Sequence, residues 1–420
     1  MAAPVYETDA AAVTEPESPR GRTKDTLLNI ALLVGVILVC CLLSELALRI
    51  AFSRSMDFSM EMWKYATHLK QPAPDPQLSF SHTPNRSAFL MGAPVSINSH
   101  GLRDREYPVA KPPGVYRIVM LGDSTTFGWG VPVEETVAKI LERELNKLEV
   151  PGYPRFEVLN AGVGNYNTVQ EVTHYLTFDR AFNPDLVILQ YFINDAEPVP
   201  TERKLFLVGR SYLVAYTVSR FDSMLRLTGT RPNWKDYYAS LYEDGRPGLE
   251  AAKQALAKLA SRTNEDGTKL LVTILPELRE INGEYPFAAA QQKIKDALSA
   301  NHVPVLDLID GLRGHGSEST LWVTEADDHP NGKANTLVAA QVLRWVVDTI
   351  QADPKRAGVR AHHFGNSRFN MTKARRWTDL AAALGGVRAG MYRPISAAGT
   401  SIQSTLSFSS MRERQVRGKM

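Results

Sequence analysis

Residues 115–131 read VYRIVMLGDSTTFGWGV. The apolar, partly β-branched run Arg117–Leu121 predicts a strand. It ends on Gly122-Asp123-Ser124, small and polar residues that suit a strand-to-helix turn. Strands are also expected at 156–159, at 185–192 (DLVILQYF), at 269–275 and at 303–308. The unbroken apolar character of DLVILQYF is that of a parallel strand buried on both faces. Between them lie helical patterns at 133–148, 169–182, 249–262, 287–300 and 332–350. Five strands alternating with helices predict an α/β fold with a doubly wound, five-stranded parallel sheet.

Polar residues at the carboxyl ends of strands in such a sheet enter the crevice where ligands bind. Three of these ends carry Gly122-Asp123-Ser124-Thr125, Asn160-Ala161-Gly162-Val163-Gly164-Asn165 and Asn194-Asp195. A fourth block, Asp327-Asp328-His329-Pro330-Asn331, follows later. Ser124 is read either as an activated hydroxyl nucleophile or as a simple helix cap. His329 can take its proton and return it to a leaving group, provided an acid fixes its tautomer. In an extended segment Asp327 shares a face with His329 and Asp328 does not, so Asp327 is the expected partner, with Glu325 more remote. Asn194 and the main-chain N–H groups near Gly162, Gly164 and Asn165 are candidate oxyanion donors. The bland alternatives are a solvated Asx turn for the His block and a neighbouring backbone partner for Asn194.

Taken in order, these blocks resemble the SGNH/GDSL hydrolase superfamily across about residues 94–350. The likeness includes the leading INSHGLRDREYP and is greatest to bacterial, membrane-anchored members linked to cell-envelope and exopolysaccharide genes. It implies an SGNH, flavodoxin-like sheet. It also implies Ser124 as nucleophile, His329 as base, Asp327 as its orienting acid, and an oxyanion hole of the Ser124 N–H, Asn194 and a second-block N–H. Three positions depart from the family pattern. Thr125 stands for the Leu of GDSL. Ala326 stands where Asp often lies three residues before the His. Asn165 falls at the family's oxyanion glycine with Gly164 just before it, which leaves open whose N–H serves.

The rest of the 420 residues frames that domain. Residues 1–24 are expected to be a disordered tail. Leu27–Ser44 carries no charge and, within 25–50, predicts one transmembrane signal-anchor helix. The cluster Arg20, Arg22 and Lys24, against the dispersed Arg49, Arg54 and Lys64, favours an inside amino terminus and an extracytoplasmic domain. Residues 51–115, rich in Pro and turn residues, are expected to form a β-type lead-in, and 116–350 the catalytic domain with an insertion at 198–248. In that insertion, Leu205–Leu227 has helical spacing and reads as a packing helix, a lid or a membrane-skimming helix.

The formal charge of +3 conceals a tail, 351–420, with 13 Lys/Arg against 3 Asp/Glu. Without interleaved aromatics it reads as a disordered basic tail, not a nucleic-acid arm. The two cysteines, Cys40 and Cys41, exclude a disulfide scaffold and a thiolate metal site. No clustered metal ligands and no G-x-G-x-x-G spacing are present, so no metal or cofactor is expected. Three functions remain: a serine esterase acting on a small acyl ester such as the O-acetyl groups of an envelope polysaccharide, an O-acetyltransferase using the same site, and a non-catalytic, membrane-tethered glycan-binding or assembly protein. The expected setting is the bacterial inner membrane, beside envelope-polysaccharide machinery.

Overall fold

A computed structural model describes residues 19–148, 150, 152–200, 209–230 and 232–351. The expected amino-terminal tail up to residue 18 and the basic tail from residue 352 lie outside them. The described residues begin with helix α1 (Pro19–Ala51) and helix α2 (Phe58–His68). Two hairpins follow, β1 (Lys70–Pro72) with β2 (Phe80–His82) and β3 (Ser87–Leu90) with β4 (Ala93–Ser96). Then come β5 (Val115–Gly122), the short helix α3 (Ser124–Phe127), α4 (Val137–Leu145), β6 (Arg155–Asn160), α5 (Thr168–Thr177) and β7 (Leu186–Tyr191). The insertion holds α6 (Tyr212–Leu227) and α7 (Trp234–Leu241). The domain closes with α8 (Pro247–Glu265), β8 (Lys269–Ile274), α9 (Ala288–Ala300), β9 (Val305–Asp307), the hairpin β10 (Trp322–Thr324) and β11 (Asp327–Pro330), and α10 (Gly332–Gln351).

The five-stranded sheet has the order β6-β5-β7-β8-β9, all parallel. β5 and β7 are buried along their whole length because helices cover both faces. α4 packs with α10, and α5 packs with α8. The chain runs outward from β5 to β6, then returns to β7, so right-handed crossovers place these two pairs on opposite faces. The point of reversal lies at the carboxyl ends of β5 and β7, where a crevice opens.

The structure departs from the sequence expectation in the lead-in. Residues 58–68 form a helix, where the turn-rich composition of 51–115 suggested β structure alone. The prolines behind that reading begin only at Pro72. Before them, Asp57 caps the helix by accepting from Met60 N–H at 3.0 Å, and Met60, Glu61, Lys64 and Tyr65 fall on one buried face. The expected helix 133–148 starts as a 3₁₀ turn at Val133–Glu135, because Thr136 is extended and caps α4. Among the described residues one helix holds a run long and apolar enough to cross a membrane, Thr26–Ala51 within α1, and no part of its most apolar stretch is buried inside the protein. Composition of this kind suits a membrane anchor or a signal sequence.

One close approach sets the position of the crevice floor. A Cβ built on Gly162 would lie 2.2 Å from the Phe127 backbone nitrogen, so only glycine lets the loop after β6 lie against α3. The obstacle is backbone and cannot rotate aside. Gly162→Ala is expected to lower stability by about 1–3 kcal/mol, the usual cost of overpacking, and to displace the α3 turn. Thermal melts of the full chain in detergent check the first effect. A Gly162→Ala protein that melts like the wild type removes the argument.

Candidate active site

Ser124 opens α3, directly after the central strand β5. Asp123 caps the turn, its Oδ1 accepting from the Thr125 N–H and hydroxyl, both at 2.8 Å. The Thr125 hydroxyl also accepts from Gln190 Nε2 at the end of β7, at 2.9 Å. A leucine there could not make this bridge, which gives Thr125 a physical reason. Gly128 ends the turn in the left-handed region with φ 86°. From outside, buried Arg103 donates to the Phe127 carbonyl at 2.9 Å and the Val131 carbonyl at 2.6 Å. Asp104, paired with Lys139 at 2.8 Å, accepts from the Asn160 N–H at 3.0 Å. The leading GLRDREYP segment thus buttresses two strand ends.

The Ser124 hydroxyl lies 2.9 Å from His329 Nε2, though 205 residues separate them. His329 Nδ1 lies 2.6 Å from Asp327 Oδ1. The carboxylate can only accept here, so Nδ1 carries the proton and Nε2 faces Ser124 as acceptor. Asp327 is 2% exposed and its other oxygen accepts from Trp129 Nε1 at 2.9 Å. Asp327 and His329 lie on β11, whose two-residue period puts both on one side. Asp328 faces the other way and pairs with Arg279 at 2.8 Å. Arg279 also donates to Glu277 Oε1 at 2.8 Å and stacks on Trp234 at 4.0 Å, so this set pins the far side of the strand. Glu325 is exposed and outside the cluster.

Burial alone would lower the His329 pKa. The hydrogen bond and charge of Asp327 outweigh it, and the imidazole is held above its ordinary 6.5. Burial, then the neighbouring Asp328, push the Glu277 carboxyl up to about 8.

The expected oxyanion donors are placed unevenly. Ser124 N–H is a first-turn helix donor with no intrahelical partner. Asn194 sits in the 3₁₀ turn Ile193–Ala196 after β7, and its side-chain amide is tied to no other protein group among the described residues. Gly164 needs correction. Its N–H donates to the Tyr65 hydroxyl at 2.9 Å, so that donor is already used. Asn165 has φ 65°, and its N–H finds no protein acceptor among the described residues. Gly162 N–H bonds to Asn160 Oδ1 at 3.1 Å and is likewise committed.

Several groups at the site come from segments the sequence did not single out. Phe58, at the start of α2, lies with its ring 5.7 Å from that of His329 and 6.1 Å from that of Trp129. Tyr65 and Lys70 reach the loop after β6 from the same region. Trp129 lies inside the quoted GWG run, but only the folded contact with Asp327 gives it a role. Behind Ser124, Glu171 and Asp195 are fully enclosed near Asp123. Burial first, and then facing carboxylates, push both well above the usual carboxylate range.

The GDSL-like lipase/acylhydrolase family model matches residues 120–337. No curated protein matches the chain. Solved structures with similarity to it include a lipolytic protein of the G-D-S-L family from Desulfitobacterium hafniense. That protein is 15% identical, with 54% of this chain and 98% of that one covered and a TM-score of 0.35. A lipase/acylhydrolase from Enterococcus faecalis is 14% identical, covers 56% of this chain and 96% of its own, and has a TM-score of 0.36. An acetyl xylan esterase is 14% identical, at 55% and 99% coverage, with a TM-score of 0.36.

Two measurements follow from this geometry. A general base works when neutral, so kcat/KM on an acetyl ester should fall as pH drops through a His329 pKa above 6.5. Asp327→Asn should move that limb to lower pH and cut kcat/KM on the order of 10³–10⁴-fold. An unmoved limb would separate Asp327 from the base. The buried Glu171–Asp195 pair makes the opposite kind of prediction. Its folded-state pKa values are raised, so stability falls as pH climbs from the ordinary carboxylate range toward them. Glu171→Gln removes one ionisation, and its Tm should exceed that of the wild type at pH 8 by more than at pH 5. Parallel melting curves would refute the raised pair.

Proposed function

This chain belongs to the GDSL-like lipase/acylhydrolase family, and from that premise we propose that it is a membrane-tethered serine esterase with Ser124 as nucleophile. The reading rests chiefly on one observation, the unbroken line from Ser124 Oγ through His329 to Asp327 at 2.9 and 2.6 Å. His329 Nε2 takes the Ser124 proton as Oγ attacks the ester carbonyl, and Asp327 holds the imidazolium that results. The tetrahedral oxyanion is met by the Ser124 N–H, the Asn194 amide and a main-chain N–H of the loop after β6. Collapse expels the alcohol, which receives the proton from His329. Water then repeats the sequence on the acyl-enzyme and releases the acid.

The acyl group is small. Ser124 is only 5% exposed, and Phe58 lies over the catalytic imidazole, which leaves little width at the reacting carbon. The substrate class is the O-acetyl groups of an envelope polysaccharide, in line with the resemblance to bacterial envelope-linked members. α1 serves as an uncleaved anchor in the inner membrane, with the basic cluster that precedes its apolar run inside and the domain extracytoplasmic.

The test uses the full chain in detergent micelles and a fluorophosphonate probe. Wild type should label, while Ser124→Ala and His329→Ala should not. Absence of labelling in a folded wild type would overturn the activated serine and favour glycan binding without catalysis. With labelling established, acetylated oligosaccharide is offered with and without a deacetylated acceptor. Release of acetate alone supports hydrolysis, and acetyl gain by the acceptor assigns transfer.

A further inference from the structure

The peptide unit joining Gly164 to Asn165 is gripped from behind by residues of the lead-in. Its oxygen, on Gly164, accepts from Lys70 Nζ at 2.5 Å. The same ammonium donates to Asn165 Oδ1 at 3.0 Å. In a planar trans peptide the C=O and the N–H point in opposite directions. A hand on the Gly164 oxygen therefore aims the Asn165 N–H the other way, out from Lys70. A hydrogen bond received by that oxygen also polarises the amide and makes its N–H a stronger donor.

The preceding N–H is fixed by a chain whose proton positions follow from chemistry alone. The Gly101 carbonyl can only accept, so His82 Nδ1, 2.9 Å away, carries the proton. Burial drives the His82 pKa down to about 3, so the ring is neutral and Nε2 is an acceptor. The Tyr65 hydroxyl, 2.7 Å from Nε2, must then donate to it, which leaves a phenolic lone pair for the Gly164 N–H at 2.9 Å. Gly164 has no room for any side chain, since a Cβ would lie 2.7 Å from the Tyr65 ring. Lys70 Nζ is held between the rings of Tyr65 at 4.4 Å and Phe80 at 4.0 Å. Burial lowers its pKa well below the ordinary value, and among the described residues its hydrogen-bond acceptors are two neutral amide oxygens.

We infer that Lys70, Tyr65 and His82 are positioning residues that hold the Gly164–Asn165 peptide so that the Asn165 N–H serves the oxyanion, with Lys70 strengthening that donor through the Gly164 carbonyl. The inference rests on the esterase reading above and assigns the donor which the chain's departure at Asn165 leaves open. None of the three touches substrate. Their effect belongs to the transition state, where the negative charge on oxygen is greatest.

The experiment compares full-chain wild type, Lys70→Met, Lys70→Gln, Tyr65→Phe and Ser124→Ala in detergent. Hydrolysis of p-nitrophenyl acetate gives kcat and KM. Inhibition by phenylboronic acid, which forms a tetrahedral anionic adduct on a reactive serine, reports the oxyanion hole. Lys70→Met should lower kcat about tenfold or more while KM holds, a fraction of the roughly 10²–10³-fold loss seen when an oxyanion donor is deleted. Boronate affinity should fall by the same factor. Lys70→Gln keeps a donor to the carbonyl but no charge, and should recover part of both losses. Tyr65→Phe should show the same coupled loss. A merely structural role would lower the melting temperature without tying boronate affinity to kcat.

Activity lost in Ser124→Ala but unchanged in a folded Lys70→Met and Tyr65→Phe overturns this inference and leaves the esterase intact. A fall in kcat with boronate affinity unmoved overturns it as well. Activity that survives Ser124→Ala removes the esterase reading and this inference with it. Should Lys70→Met fail to fold, Lys70→Gln and Tyr65→Phe decide the matter on the same readouts.

Discussion

The approach of the Gly162 backbone to the α3 backbone is the constraint from which the rest of the site takes its position. Three neighbouring strands, β6, β5 and β7, run parallel side by side, but their pairing leaves the loops beyond them free. Gly162 removes that freedom, since the loop after β6 lies against α3 where a Cβ would sit 2.2 Å from the Phe127 nitrogen. Val163 N–H then bonds to the Gly122 carbonyl at 3.0 Å and stitches the loop to the residue that begins the nucleophile turn. Ser124 and the start of that loop, at Gly162 and Val163, are thereby fixed relative to each other by main chain alone. Side chains such as Arg103 and Asp104 hold this backbone pair against the outer wall and do not create it.

Charge around the serine is arranged in two layers with opposite logic. Asp327 is buried but doubly bonded, to His329 Nδ1 and to Trp129 Nε1, so its charge is satisfied and serves to hold an imidazolium. Glu171 and Asp195 are buried with fewer partners: neither Glu171 oxygen nor Asp195 Oδ1 has a donor among the surrounding protein groups. A shared proton satisfies both more cheaply than two bare carboxylates would. The result is a buried acidic pair that carries one charge at most where two carboxylates stand, which lessens the opposition to the negative charge that forms on the substrate oxygen. Two full charges there would oppose it, and would do so in a poorly screened interior.

The sheet was legible because its strands are written as apolar runs with polar ends, and Asp185–Phe192 could be little else than a strand buried on both faces. The grouping of Ser124, Asp327 and His329 was legible because an activated hydroxyl would call for those side chains together, and a two-residue period separates Asp327 from Asp328. The choice between Gly164 and Asn165 was not legible. Both N–H groups lie in one turn, and the side chain that takes one of them, Tyr65, is 99 residues away. Phe58 and Lys70 were hidden for the same reason. Helix α2 itself was masked by the prolines that follow it, although its own eleven residues contain neither Pro nor Gly.

That hidden helix changes what the lead-in is. α2 packs by Met60 and Trp63 against Leu48 and Phe52 at the end of α1 and the segment after it, and Lys64 Nζ donates to the Phe52 carbonyl at 3.2 Å. On α1, Glu45 accepts from the first turn of α6 through the Tyr212 and Leu213 N–H groups. The other side of α2 reaches His329 through Phe58 and the oxyanion loop through Tyr65. One three-turn helix therefore touches the apolar amino-terminal helix on one side and two parts of the candidate site on the other. A flexible tether would need none of these contacts. The lead-in is better understood as a wall of the active site, and any shift of α2 relative to the sheet is felt at once by the base and by the oxyanion loop.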